Sequence, residues 1–264
     1  MVNGIRMHYW RTGGQKPALV LSHGSSDDGL CWTVVAKELS GEYDVIMPDA
    51  RGHGLSDPPT DQDSADAQAE DLAALIRALG LENPIVIGHS MGSSSTAWFA
   101  AKYPETPRAV VLEDPGLAPR TWRSGATTSP EAAMKRARAQ ILERNQASYD
   151  DLVAQCIEDY PSWGLQECRV WAPSKRLHHP NNAFRYGPGR QRPPMSELLS
   201  KISVPTLILK ADDDAETRKA NEEVAKALKY GRLVHIDGAG HNVRREQKDS
   251  FLRELRTFLA KLDR

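Results

Sequence analysis

Short apolar runs alternate along this chain with longer stretches in which apolar residues recur every three or four positions. The runs read as strands over residues 18–22, 43–47, 85–87, 109–112, 205–210 and 232–236. A further short strand is expected over 5–10, turned by Thr12-Gly13-Gly14. Between the runs, helical spacing covers 32–39 (Trp32, Val35, Ala36, Leu39) and 64–79 (Leu72, Leu75, Ile76, Leu79), the second stopped by Gly80. Helices are also expected over 93–103 and 217–228. A closing amphipathic helix over 247–262 carries Phe251, Leu255, Phe258, Leu259 and Leu262.

Strands with no polar alternation are buried on both faces. Strands that alternate with helices need right-handed crossovers. Together they predict an α/β fold, a mostly parallel sheet with helices on both faces. The rhythm stops after Gly116. Helices are expected over 130–145 and 149–159, separated by Pro, Gly and Trp, and 181–194 looks like a loop returning to the core. The expected organisation is therefore a core of residues 1–114 and 201–264 with an inserted helical cap, or lid, over 115–200. That insert carries 12 Lys and Arg against 8 Asp and Glu, a modest basic excess of the kind that usually marks a solvated face.

The chain has 264 residues, 40% hydrophobic and 26% charged, an ordinary balance for a globular domain. A net charge of −1 gives no electrostatic case for nucleic acid or an anionic membrane. The apolar runs are far short of a membrane span, and Met1 to Arg6 lacks an apolar signal region, so a cytoplasmic protein is expected. Three cysteines, Cys31, Cys156 and Cys168, show no framework spacing and are expected to be reduced, mostly buried thiols. His178-His179 reads as a pair of loop histidines, and no cluster has metal-ligand spacing.

Chemistry gathers at the carboxyl ends of the strands, where open parallel sheets place their ligands. The run Ile85-Val86-Ile87 leads into Gly88-His89-Ser90-Met91-Gly92, followed by a helix. This is G-x-S-x-G in the strand–turn–helix context of a nucleophile elbow, with Ser90 lifted above the sheet edge. The glycines are needed because a Cβ at either place would crowd the turn. A serine hydroxyl needs a base within reach, and the base needs an orienting acid. His241, in the glycine-rich turn after the last strand, is the best-placed base; His8, His23, His53, His89 and His235 lie in strands or loops that suit it less. For the acid, chain order favours Asp214, after the strand preceding that of His241. Glu113, ending the strand that follows the elbow helix, is the rival. The backbone N–H groups of Ser25 and Met91 are candidate oxyanion donors, and Met91 also stands at a helix N-terminus.

Taken together, His23-Gly24-Ser25-Ser26, Asp49 to Ser56, Gly88 to Gly92 and Gly238-Ala239-Gly240-His241-Asn242 resemble the α/β-hydrolase superfamily, in its cap-bearing branch of small esterases, lactonases and C–C hydrolases. The resemblance implies Ser90 as nucleophile, His241 as base, and Ser25 and Met91 as oxyanion donors. It also implies Asp214, at the fourth position of a usual Gly-x-x-Asp, but Ala211 stands where glycine is usual. Some members carry the acid after the strand following the elbow, as Glu113 would be. The expected activity is cofactor-free cleavage of a small or medium carboxylic ester or lactone through an acyl-enzyme. The alternatives are a C–C hydrolase, lyase or perhydrolase with the same residues, or a non-catalytic small-molecule receptor. No metal is implied, and the chain is expected to be a monomer or small homo-oligomer. In the insert, Trp122, Trp163, Trp171, Tyr149, Tyr160, Phe184 and Tyr186 either line an apolar pocket or form the insert's own core.

Overall fold

The computed structural model describes residues 1–117, 129–187 and 190–262. Its strands are β1 (Tyr9–Arg11), β2 (Ala18–Ser22), β3 (Asp44–Pro48), β4 (Ile85–His89), β5 (Ala109–Glu113), β6 (Thr206–Lys210) and β7 (Gly231–His235). They form one sheet in the order β1-β3-β2-β4-β5-β6-β7. Only β1 runs antiparallel, against β3; the other pairings are parallel. β1 is shorter and later than expected from the sequence. The preceding residues instead make an isolated bridge between Val2 and Ile5.

The helices are α1 (Thr33–Leu39), α2 (Ala67–Ala78), α3 (Met91–Lys102), α4 (Pro130–Gln146), α5 (Tyr149–Asp159), α6 (Gly164–Arg176), α7 (Met195–Lys201), α8 (Ala215–Ala225), α9 (Val243–Glu246) and α10 (Lys248–Leu262). Alternate residues of each strand face opposite ways, so the sheet has two cores. Leu19, Leu21, Ile85, Ile87, Val111, Leu207 and Leu209 pack with Trp32, Leu39, Phe251 and Leu255 on the α1/α10 side. Val20, Val86, Val110, Leu112 and Ile208 pack with Leu72, Ile76, Phe99 and Leu199 on the α2/α3/α7 side. Strands without polar alternation are thus explained by burial on both faces. No helix among the described residues is long and apolar enough to cross a membrane.

Between β5 and β6 the chain leaves the sheet. Ser129 and Ser148 cap α4 and α5 by accepting hydrogen bonds from Ala132 and Asp151. α6 escaped the periodicity because Pro173 lies inside it and Trp163-Gly164 open it. α7 packs on α3 and shares the sheet's core. α5 and α6 pack on each other around Leu152, Trp163 and Trp171. Their centre corrects the cysteine expectation: Cys156 and Cys168 form a disulfide, with Cα atoms 5.5 Å apart. The sequence shows two thiols separated by 12 positions. Only the packing of two helices brings them within bonding range. Cys31 is a free, buried thiol that burial pushes up to about 12. Titration of denatured, unreduced protein is therefore expected to find one reactive thiol per chain, rising to three after reduction. Three thiols before reduction would remove the bridge.

Candidate active site

The elbow forms because β4 hands the chain directly to α3 with no connecting loop. Ser90 takes the turn at φ 52° and ψ −109°, a left-handed conformation that costs about 1–3 kcal/mol and persists only where surroundings impose it. Here they do. A Cβ on Gly88 would collide with the carbonyl of Gly92, and one on Gly92 with the carbonyls of Ser22 and His23. The Ser90 N–H donates to the Glu113 carbonyl at 2.9 Å. The Ser93 hydroxyl, buried below, reaches the carbonyls of Gly88 and Glu113 at 2.5 and 2.8 Å.

The Ser90 hydroxyl lies 2.9 Å from His241 Nε2. His241 Nδ1 lies 2.5 Å from a carboxylate, and that carboxylate belongs to Asp114. Neither acid expected from the sequence occupies this place. Asp214 is the N-cap of α8, and its carboxylate accepts from the Thr217 N–H at 2.8 Å and the Thr217 hydroxyl at 3.2 Å. Chain order put it after the right strand, but the local cap claims its side chain. Glu113 is fully buried and accepts from the Arg244 N–H at 2.8 Å and the Arg244 guanidinium at 3.0 Å. Strand parity explains the difference of one residue. Val111 faces the α1/α10 core, so Glu113 faces the same side, beneath the sheet edge. Asp114, the first residue past the strand, turns back at φ 42° onto the rim. The missed signal was the doublet itself. Two acids ending an apolar strand cannot share one face, so the second is the one free to reach the edge.

Asp114 is nearly buried and well held. Besides His241 it pairs with the Lys210 ammonium and accepts the Ala211 N–H at 3.2 Å. Burial would raise its pKa, but the His241 hydrogen bond and the Lys210 charge outweigh it and leave the carboxyl at about 2. Lys210 also donates to the Pro115 carbonyl at 3.1 Å, so the ammonium ties the end of β6 to the segment after β5.

The other histidines are structural ties. His89 packs its ring where a Cβ on Gly24 would stand, and its Nε2 lies 3.0 Å from the His241 carbonyl. Burial, then the nearby Arg244 charge, holds it well below its ordinary pKa, so the neutral ring donates to that carbonyl. His23 Nε2 accepts the Ala50 N–H at 2.9 Å. His53 stacks on His178 at 4.7 Å between ring centres. His8 and His235 likewise hold Asp49 and the Ala211 carbonyl. No group of histidines, cysteines and carboxylates among the described residues could hold a metal ion.

Beside the elbow, the loop after β2 carries Ser25. The Ser22–Gly88 register sets this loop next to the start of α3. A knot of buried charge fixes it from below. Asp27 binds Lys175 of α6 at 2.9 Å and Arg245 at 3.1 Å, with Arg244 at 3.5 Å. Lys175 also donates to the Ser26 carbonyl at 2.7 Å, holding a residue whose φ is 63°. Burial would raise the Asp27 pKa, but three cations, Arg245 first, hold it well below the usual carboxylate range. Arg245 reaches on to Glu167 of α6 at 3.0 Å.

A cavity of about 1220 Å³ opens above this floor, lined by Ser25, Ser90, Met91, Asp114 and His241. The segment between β5 and β6 supplies Phe184, Arg185, Tyr186 and Arg192 to its wall. The other aromatics of that segment do different work. Tyr160 stacks on Trp163, Trp163 lies against Arg245, and Trp171 lies against Lys175. Tyr149 is exposed, and Trp122 lies outside the described residues.

A strand–serine–helix elbow beneath a histidine, on a doubly covered parallel sheet, defines the α/β-hydrolase class of protein. The chain belongs to the alpha/beta hydrolase family, whose family model matches residues 19–254. It is 27% identical over 266 residues to N-formylmaleamate deformylase of Pseudomonas putida, spanning 97% of this chain and 94% of that protein. It is 26% identical over 281 residues to the bifunctional esterase/perhydrolase DCH of Acinetobacter calcoaceticus, covering 97% of each. Among solved structures, the esterase RhEst1 from Rhodococcus sp. ECU1013 superposes with a TM-score of 0.74 at 26% identity, over 99% of this chain and 97% of that one.

Replacing the acids should separate their roles. Asp114→Asn is expected to lower turnover by about ten-thousand-fold, while Asp214→Asn, which preserves the cap, stays within a few-fold. Glu113→Gln breaks a buried pair and should appear in urea unfolding as a loss of about 3–5 kcal/mol. A crippled Asp214→Asn enzyme beside an active Asp114→Asn enzyme would reverse the assignment. The depressed Asp114 pKa makes its stabilising contribution complete above its ordinary value of 3.8 and lost as pH falls through about 2. The stability gap between wild type and Asp114→Asn should therefore narrow over that interval in acid titration.

Proposed function

We propose that this protein is a cofactor-free serine hydrolase that cleaves a small or medium carboxylic ester or lactone. The observation that carries it is the continuous Asp114–His241–Ser90 chain of hydrogen bonds, with the hydroxyl opening into the cavity. Ser90 Oγ attacks the carbonyl carbon while His241 Nε2 takes its proton. Asp114 holds Nδ1 protonated and steadies the imidazolium that forms. The tetrahedral oxyanion rests on the N–H groups of Met91 and Ser25, each worth about 3–4 kcal/mol of transition-state stabilisation. His241 then returns the proton to the leaving alkoxide and activates water against the acyl-enzyme. The segment between β5 and β6 acts as the lid, its residues Asn181 to Arg192 forming one wall of the cavity, whose size admits a small or medium substrate.

The relatives support a hydrolase and differ in the bond they break. One is named a deformylase and another an esterase/perhydrolase. A panel of p-nitrophenyl esters, lactones, formamides and peroxide mixtures places this chain among them. Ester and lactone turnover should dominate. Ser90→Ala should reduce that turnover by several orders of magnitude with the fold retained by circular dichroism. A fluorophosphonate should label the peptide containing Ser90 and no other. Near-normal ester turnover in folded Ser90→Ala would overturn the mechanism.

A further inference from the structure

Several charged groups of the cavity wall have partners of their own. Arg51 binds Asp63 and Asp71, Lys210 binds Asp114, and Asp214 caps α8. Three arginines of the wall, Arg185, Arg190 and Arg192, pair with no carboxylate among the described residues; Arg190 is turned to the Asp61 carbonyl, and Arg185 and Arg192 lie nearest the elbow. Arg185 Nη1 donates to the Ser25 hydroxyl at 2.8 Å and comes within 3.9 Å of Met91 Sδ. Its guanidinium lies over the Tyr186 ring at 4.6 Å. Arg192 Nη2 donates to Gln68 Oε1 at 2.9 Å, and Gln68 is fixed in turn by the Ser95 hydroxyl at 3.0 Å and by contact with Met91 Sδ at 3.3 Å. Both guanidiniums thus converge on Met91, the residue after the nucleophile, through neutral partners that leave their charge uncompensated. Both side chains are exposed to the cavity; partial loss of solvent first, then the neighbouring Arg185 charge, lower the Arg192 pKa. Two neighbouring guanidiniums with no carboxylate partner favour an anion bound between them. Guanidiniums present fixed forks that match a carboxylate.

We propose that Arg185 and Arg192 form an anion subsite beside Ser90, and that the substrate carries a carboxylate in addition to the bond that is cleaved. The assignment rests on the hydrolase function above and names its substrate class. The wall at the start of α8, away from Met91 and Gln68 in the sheet order, carries Asp213, Asp214 and Glu216. That asymmetry orients a monoanionic substrate with its charge on the arginine side and its uncharged end toward α8.

Two measurements test this separately from the chemistry. The first is kcat/KM for monomethyl glutarate against methyl valerate, and for 3-acetoxypropanoate against butyl acetate. Wild type should prefer at least one acidic member by about tenfold or more, and Arg185→Gln or Arg192→Gln should reduce that ratio about tenfold. The second is binding of glutarate against butyrate by calorimetry, in wild type, Ser90→Ala and the two arginine variants. Glutarate should bind more tightly, keep its affinity in Ser90→Ala, and lose about tenfold in either arginine variant. Circular dichroism and thermal melting of each variant confirm that the fold persists. No preference for the acidic member of either pair, or a ratio unmoved by both substitutions, overturns the subsite. So does preference for a cationic ester such as methyl 5-aminopentanoate, which would assign recognition to the acidic wall. Failure of every ester with glutarate still bound through the arginines would overturn the hydrolytic reaction and leave the subsite standing.

Discussion

Buried charge with no water to solvate it is the constraint that holds this site in place. Asp27, Glu113, Arg244, Arg245, Lys175 and Glu167 are all buried and bound to one another. Breaking any one contact would strand a charge at low dielectric, which costs far more than the pair contributes over an apolar substitute. Their value is therefore positional. Asp27 sits two residues past Ser25, Glu113 precedes Asp114, Arg244 follows His241 closely, and Lys175 and Glu167 belong to α6. The knot fastens the Ser25 loop, the segments that carry Asp114 and His241, and α6 to one another from beneath.

The parallel sheet does the coarser alignment. Register pairs Ser22 with Gly88, His89 with Glu113 and Lys210 with His235, so the chain leaves neighbouring strands at one rim. A serine, a carboxylate and an imidazole far apart in sequence then meet within hydrogen-bond distance. Fine positioning comes from residues with no part in the chemistry. His89 holds the His241 carbonyl, Ser93 ties α3 to β4 and β5, and Lys210 holds Asp114.

The segment between β5 and β6 contributes in two ways. Trp163 and Trp171 belong to its own core and cover the cations of the knot, with Tyr160 stacked on Trp163 from outside. The stretch just before α7 faces the cavity and supplies the unpaired guanidiniums. The slight basic excess of the insert was visible in composition, yet composition could not separate arginines facing water from arginines facing the nucleophile.

The sequence alone pointed to the α/β fold, because short apolar runs bounded by turn residues and alternating with helical spacing fit strands buried on both sides. It determined the elbow as well, because glycines flanking Ser90 between a strand and a helix leave little other use for that turn. It pointed to His241 through a glycine-rich turn at the last strand. The carboxylate beside His241, the disulfide and the arginines on the cavity wall were decided in three dimensions. Each depends on direction. Strand parity sends Glu113 under the sheet and Asp114 over it, a helix cap claims Asp214, and the packing of α5 on α6 joins Cys156 to Cys168. Spacing along a chain says which residues share a face; where a side chain ends depends on which partner reaches it first, and those partners arrive from distant segments.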